Sequence, residues 1–300
     1  MPRVSVLMPV HNAVLYVGTA IDSILRQTYR DFELIAIVDG ATDGSEEVVR
    51  SRAATDPRIR VVSRPNCGLV ATTNEALELA RGEFVAPMDH DDVALPRRLE
   101  VLVSLLDAHS RTVAAGGHCR FIDAMGRSLL VHRMPLAPKD IDSANMAGGG
   151  AALSNSTTLI RTEAARRLGG YRDEFSLAQD LDMWLRLAEF GDLENVDEVL
   201  LEYRIHHSME SAKNWLNQAT AAWRAIAEAA SRRGVPFDLP QPSSAELPPG
   251  DLGRTERKWG WWALQSGEQA TALHYALRAL LRVPHEQNSW RLAFCALRGR

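Results

Sequence analysis

Hydrophobic positions over the first 118 residues alternate between the period of a strand and that of a helix. Val4-Ser5-Val6-Leu7-Met8 is a short apolar run that stops at Pro9, which predicts a buried strand. Val17, Ala20, Ile21, Ile24 and Leu25 then recur at helical spacing and define one apolar face. Residues 32–38 form a second apolar run, closed by the turn-forming Asp39-Gly40-Ala41-Thr42-Asp43-Gly44. A short polar helix is expected over 45–52 and a third strand over 59–62. Leu69, Ala76, Leu77 and Ala80 mark a helix that Gly82 stops, and residues 84–88 read as a fourth strand. Pro96 opens a helix with Leu99, Leu102, Val103 and Leu106 on one face, and Val113 begins a fifth strand. Strand–helix units joined by short loops predict an α/β fold whose sheet is mostly parallel and flanked by helices. Ligands of such sheets bind beyond the carboxyl ends of the strands, so the polar residues to watch are His11, Asn12, Asp39 and Asp89 to Asp92.

From about residue 119 the pattern changes. Residues 121–123 and 128–131 read as a hairpin, 157–160 as a strand, 180–190 as a helix and 199–205 as a further strand. Trp215, Ala219, Ala222, Trp223, Ile226 and Ala230 trace a long amphipathic helix. A proline-rich stretch over 234–253 is expected to be a linker. Beyond it, Trp262, Ala270, Leu273, Leu277, Leu280 and Leu281 predict a helical hairpin that resembles a single tetratricopeptide unit, with Gly267 at its turn and Pro284 after it. One such unit cannot cover its own apolar face, and the helix around Trp215 and Trp223 is the expected cover, with a partner or a membrane surface as the alternative. The expected organisation is one α/β domain over 1–211, in two halves that meet at about residues 118 and 119. A helical extension over 212–300 follows, its hairpin occupying 254–300.

Composition narrows the function. With 46% hydrophobic and 24% charged residues and a formal net charge of −4, the chain has no basic face to suggest nucleic acid. No apolar run reaches the ~18–20 residues that span a bilayer. Cys67, Cys119 and Cys295 are odd in number and scattered, which fits a cytoplasmic protein whose cysteines are small core residues. Arg278, Arg282, Arg291, Arg298 and Arg300, interleaved with apolar residues, leave room for peripheral contact of the C-terminal helices with the inner face of a membrane.

Four constellations carry candidate chemistry. Met88-Asp89-His90-Asp91-Asp92 crowds three carboxylates at a strand end, where they repel unless a positive charge neutralises them. In an extended segment Asp89 and Asp91 would face one site, and such oxygens suit Mg²⁺ or Mn²⁺ shared with a substrate phosphate. The alternative is a solvated acidic turn. Asp39 ends another strand, as a site residue or as a turn and cap residue. Gln179-Asp180-Leu181-Asp182 opens a helix, where acids are favoured by the dipole and where one could also be a general base. Tyr203-Arg204-Ile205-His206-His207 follows a strand and could supply a metal or phosphate contact.

In this order the segments resemble family 2 glycosyltransferases, which have the GT-A fold. The resemblance runs from residue 3 to about 211. It is carried by residues 4–12, Gln27-Thr28-Tyr29-Arg30-Asp31-Phe32-Glu33-Leu34, Val38 through Ser45, Asn74 with Ala80-Arg81-Gly82-Glu83-Phe84, and Met88 through Asp92. It continues in Leu168-Gly169-Gly170-Tyr171, Gln179 through Arg186, and Tyr203-Arg204-Ile205-His206 with Ser211. The resemblance implies an inverting, Mn²⁺- or Mg²⁺-dependent transferase that moves a sugar from a nucleoside diphosphate sugar to a glycan, lipid-linked or other hydroxyl acceptor in polysaccharide or glycoconjugate synthesis. It implies Pro9, His11, Asn12, Asp39, Asn74 and Asp89 in nucleotide-sugar binding. Asp91 and His206 would bind metal, Asp180 would be the base, and Asp92, Gln179 and His207 would support them. The chain departs from the family pattern at Val38, Thr73 and Gln179, which stand where Asp, Arg and Glu are usual.

Two rival readings share the parallel sheet. A dinucleotide-dependent dehydrogenase needs a G-x-G-x-x-G turn after the first strand, and here that turn reads Pro9-Val10-His11-Asn12. A nucleotidyltransferase calls for a Gly-rich basic loop at the same place, which is also missing. A binding protein that has lost catalysis is the remaining alternative, against which stand Asp39, Asp89, Asp91 and Asp180 together.

Overall fold

The computed structural model describes residues 1–148, 150–206, 214–243 and 253–299. They divide into two compact units that interleave along the chain, one of residues 1–119, 133–202 and 214–242, the other of 120–132, 203–206, 243 and 253–299.

In the first unit strands β1 (Val4–Val10), β2 (Phe32–Asp39), β3 (Ile59–Arg64) and β4 (Phe84–Pro87) form a parallel block in the order β3-β2-β1-β4. Every residue of β1 and β2 is buried, because helices cover both faces of the sheet. Those helices are α1 (Val17–Leu25), α2 (Ser45–Ala53), α3 (Leu69–Leu79) and α4 (Arg98–Ala108). The order of connection reverses between β1 and β4, so a crevice is expected at their carboxyl ends.

Beyond β4 the sheet becomes antiparallel. The expected fifth strand is β6 (Thr112–Ile122), and it does not touch β4. A three-residue strand, β8 (Leu159–Arg161), lies between them and runs antiparallel to both, pairing Phe84 with Arg161 and Ala115 with Leu159. The path continues to β9 (Asp192–Arg204) and to β5 (Val93–Ala94), whose two residues pair with Glu202 and Leu201. Neither β5 nor the short helices α5 (Pro138–Met146) and α6 (Thr162–Arg167) were foreseen. Segments this short carry too few positions to display a period.

Helix α7 (Gln179–Leu187) is buried on several sides. Its Leu181 and Leu185 meet Ala225, Ile226 and Ala229 of the long helix α8 (Trp215–Arg233). Trp223 on α8 packs edge-on against Phe237 and donates its indole N–H to the Leu239 carbonyl.

In the second unit the expected hairpin is present as α9 (Arg254–Gln265) and α10 (Gln269–Arg282). A third helix, α11 (Gln287–Arg298), follows Pro284. Their common core of Ala263, Ala272, Tyr275, Ala276, Leu292 and Ala296 closes on Leu129 of β7 (Ser128–His132), with Phe121 and Ile205 beside it. Within this unit the hairpin is covered by α11 and the β7 hairpin. Tyr275 donates its hydroxyl to Asp123 (2.7 Å), whose carboxylate also accepts from the Met125 and Arg127 amides. Of the cysteines only Cys119 is a core residue; Cys295 is half-buried and Cys67 is exposed in a loop.

Candidate active site

The carboxyl ends of β1 and β4 bring two of the watched segments together. His90 closes the gap through a 3.2 Å contact between its Nδ1 and the Pro9 carbonyl. The backbone after β4 is not extended: His90 and Asp91 form a turn, so alternation along a strand is not what orients the acids. Ser156 determines the position of Asp89, donating its hydroxyl to the carboxylate (2.9 Å) and accepting from the Asp89 amide (3.1 Å). Burial, then the adjacent charge of Asp91, pushes the Asp89 carboxyl above its ordinary range.

Asp92 turns inward and is almost fully buried. Beneath the cluster lies Arg98, 0% exposed, which donates to the carbonyls of Pro87 (2.8 Å) and Thr158 (3.1 Å). Burial lowers its pKa to about 10, opposed by the charges of Asp92 and Asp89, so it remains a cation at neutral pH. The positive charge that the acidic cluster demanded is therefore supplied in part by the protein itself. Arg98 stood in the sequence on the same helical face as Leu99, Leu102 and Leu106, where a charged residue is out of pattern.

Asp180 and Asp182 serve different ends. Asp182 is 1% exposed and paired with both Arg172 and Arg186 (2.7 Å), which makes it a packing residue of α7. Asp180 is half-buried, accepts from the Leu181 amide (2.8 Å), and has its carboxyl pushed up to about 6, first by burial and also by the charge of Asp89. The β4 acids and the α7 acid thus feel each other's charge. Gln179, next to Asp180, lines a small recess with Pro9, Asp89, Asn155 and Tyr171.

Other watched residues are occupied by the protein. Both Asp39 oxygens accept main-chain N–H bonds, from Cys67 (2.9 Å) and Gly68 (3.0 Å), and so hold the loop before α3. Gly40 adopts φ 63°, and an added Cβ there would stand 2.6 Å from the Asn66 amide. His11 contacts the Asp39 carbonyl through Nδ1 (2.7 Å), and Asn12, at φ 46°, accepts from the Thr42 amide (2.9 Å). Asn74 spends both ends of its amide on the Tyr171 backbone, accepting from the N–H and donating to the C=O at 2.8 Å each. His206 follows β9 in the second unit, while His207 and Ser211 lie outside the described residues.

Reading the sequence for polar residues after strands missed Asn155 and Ser156, and the reason is topological. β8 runs against β4, so the edge where β4 ends is where β8 begins, and the residues that matter precede that strand. The polar run Ser154-Asn155-Ser156 before residues 157–160 was the available signal.

Comparison with known proteins accords with this geometry. EpsE of Bacillus subtilis (strain 168), which carries a glycosyltransferase name, is 34% identical over 194 residues, 63% of this chain and 68% of EpsE. Chondroitin synthase of Escherichia coli is 25% identical over 235 residues, 78% of this chain but only 33% of the synthase. Staphylococcus aureus TarS in complex with UDP-GlcNAc superposes with a TM-score of 0.61 at 17% identity, covering 100% of this chain and 93% of the TarS chain. Mannosyltransferase PcManGT from Pyrobaculum calidifontis, in complex with GDP-Man and Mn²⁺, gives 0.56 at 19% identity over 99% and 80% of the two chains. The architecture is that of GT-A glycosyltransferases. The family model for glycosyl transferase family 2 matches residues 5–169, more than half of the chain, and the protein belongs to that family.

Proposed function

We propose that the protein is an inverting glycosyltransferase that moves a sugar from a nucleoside diphosphate sugar to an acceptor hydroxyl in polysaccharide or glycoconjugate synthesis. The observation that carries this reading is the Asp180 carboxyl, raised to about 6 and within the field of Asp89. In the step proposed, Asp180 takes the proton of the acceptor hydroxyl as its oxygen attacks the anomeric carbon. The bond from that carbon to the diphosphate breaks on the opposite face and the configuration inverts. Residues to about 118 would hold the donor nucleotide, with the loop built by Asp39 against its base and His11 and Asn12 beside it. Residues 119–211 would select the acceptor. The donors held by TarS and PcManGT, UDP-GlcNAc and GDP-Man, support a nucleoside diphosphate sugar here.

A divalent cation fits the residues present. Among the described residues no group of three or more His, Cys, Asp or Glu is gathered closely enough to hold a metal alone. Asp89 and Asp91, two carboxylates within each other's field, instead suit an ion that takes its remaining oxygens from the diphosphate. Asp91 would be its main ligand, with His206 as a further candidate. Bound there, Mn²⁺ or Mg²⁺ would offset the charge that develops on the leaving diphosphate. Titration calorimetry with donor nucleotide and Mn²⁺ is expected to find affinity reduced ~10–100-fold in Asp91→Asn and on addition of EDTA. Affinity indifferent to both would remove the cation from the reading.

We also propose that α10 and α11 rest on an anionic lipid surface at the cytoplasmic side of a membrane, where a lipid-linked acceptor would be met. Among the described residues no helix is long and apolar enough to cross a membrane. Yet Leu277 and Leu281 on α10, and Trp290, Phe294 and Leu297 on α11, are all more than half exposed. Residues 254–300 carry eight Lys and Arg against three Glu in a chain whose net charge is −4. That excess disfavours pairing of this face with a second copy and favours anionic headgroups. Co-sedimentation should occur with vesicles containing phosphatidylglycerol, weaken with salt and be lost in Leu281→Asp/Phe294→Asp. Equal binding to pure phosphatidylcholine, or self-association without lipid, would point elsewhere.

A further inference from the structure

Two residues that line the recess beside Asp89 each carry a buried polar atom with no hydrogen-bond partner among the described residues: the hydroxyl of Tyr171 and the side-chain oxygen of Asn155. Native interiors leave few such groups, and each one calls for an explanation.

Tyr171 cannot relieve itself by swinging out. Its residue is 5% exposed, and its ring packs in the cluster that contains Leu7, Ala76 and Leu77. Its backbone is clamped on both sides by Asn74. It follows Gly169 and Gly170, both at φ 76°, and any Cβ on Gly170 would collide with the Asn74 side chain. The hydroxyl is thus held at a defined point. Burial, and after it the charges of Asp180 and Asp89, pushes its pKa above the ordinary tyrosine value, so it stays protonated and able to donate. Asn155 is held by its neighbours as well, since its amide also bonds to the Asp89 carboxylate. The free volume of the recess is about 10 Å³, the space of one water-sized group.

A fixed donor, a fixed acceptor and room for one oxygen describe a place for a single hydroxyl. We propose that Tyr171 and Asn155 form a subsite for one hydroxyl of the transferred sugar, with the Tyr171 O–H donating to the sugar oxygen and the Asn155 carbonyl oxygen accepting from the sugar O–H. The subsite admits a hydroxyl and excludes a bulkier acetamido group on the ring carbon that faces it. Tyr171 is then a specificity-determining residue, separate from the proton transfer at Asp180. The inference rests on the donor reading given above, and it names which residues of this chain recognise the sugar and not the nucleotide.

The test compares nucleotides with and without their sugar. UDP, UDP-glucose, UDP-galactose, GDP and GDP-mannose are titrated, each with Mn²⁺, into the wild-type protein and into Tyr171→Phe. Phenylalanine keeps the ring and removes only a hydroxyl that the folded protein does not use, so the melting temperature should hold or rise. Affinity for the parent nucleotide should be unchanged. The tighter binding of the preferred nucleotide sugar over its parent should fall about tenfold, the usual weight of one buried hydrogen bond left unmade. The pH at which the rate is half-maximal should not move, because the base remains Asp180. Asn155→Ala should lose the same discrimination, measured as the ratio of nucleotide-sugar to parent-nucleotide affinity, because its amide also touches Asp89. A wild-type protein that binds none of these nucleotides overturns the donor reading and the subsite with it. Normal nucleotide binding with undiminished preference for the sugar in Tyr171→Phe overturns the subsite alone. A shifted pH profile with that preference intact assigns the hydroxyl to Asp180 and equally overturns it.

Discussion

Asp180→Asn is expected to lower turnover by about 10²–10⁴-fold, the range supplied by a positioned general base, while donor affinity changes little. The base addresses the acceptor proton, so binding of the nucleotide does not depend on it. The pH dependence follows from the raised pKa. A base must be deprotonated to act, and the free enzyme holds the Asp180 carboxyl at about 6 instead of 3.8. The kcat/KM of the wild type should therefore rise with pH through about 6 and level off above it. The linked stability has the opposite sign. The folded state holds this proton more tightly than the unfolded state, so between about pH 4 and 6 the group lowers stability as pH increases. Asn removes that penalty and keeps the shape, and the variant should be at least as stable as wild type at pH 7. Single-turnover rates together with a thermal melt check both halves. An Asp180→Asn enzyme with near-normal turnover would move the base elsewhere and undo the proposed step. Asp182→Asn makes a poor silent control: it strands Arg172 and Arg186, so its activity has to be expressed per folded molecule.

Arg98→Met should cost about 3–5 kcal/mol of stability, the scale for removing one member of a buried charge constellation. Methionine fills much of the volume but leaves the Pro87 and Thr158 carbonyls without this donor. It also removes the nearby cation that lies in the field of Asp92 and Asp89. The loss should shrink as pH falls, because protonating the carboxylates removes the charge that Arg98 was balancing. Urea unfolding at several pH values tests this, with a lower midpoint at constant m-value expected. A midpoint within experimental scatter of the wild type would mean that the acids are balanced by something other than Arg98.

The parallel block was legible because a strand buried on both faces has to be apolar throughout, and β1 and β2 are. Once that block was read, the rule that ligands gather at strand ends pointed to His11, Asn12, Asp39 and Asp89 to Asp92 from the residue string alone. The pair of acids on α7 was equally visible, and two positions that close on a helix point in different directions. Their division of labour was not visible, because it depends on Arg172 and Arg186 arriving from elsewhere at Asp182. The strand β8 was expected at about its place, but β5, α5 and α6 escaped, because segments so short take their structure from partners, Leu201 and Glu202 in the case of β5.

The acidic cluster marks the limit most clearly. Local composition states that Asp89, Asp91 and Asp92 carry charge and need compensation. Which of them is tied to Ser156 and which turns inward above Arg98 depends on distances between β4, α4 and the residues before β8. Asn74, which the family resemblance assigns to the nucleotide sugar, also holds the backbone of Tyr171, 97 residues away, and that bond no local pattern announces. Periodicity and turn chemistry are short-range properties that the chain carries with it. Burial, desolvation and pairing of charges arise only when distant segments meet, and at this site those long-range terms decide which carboxylate is buried and which is paired.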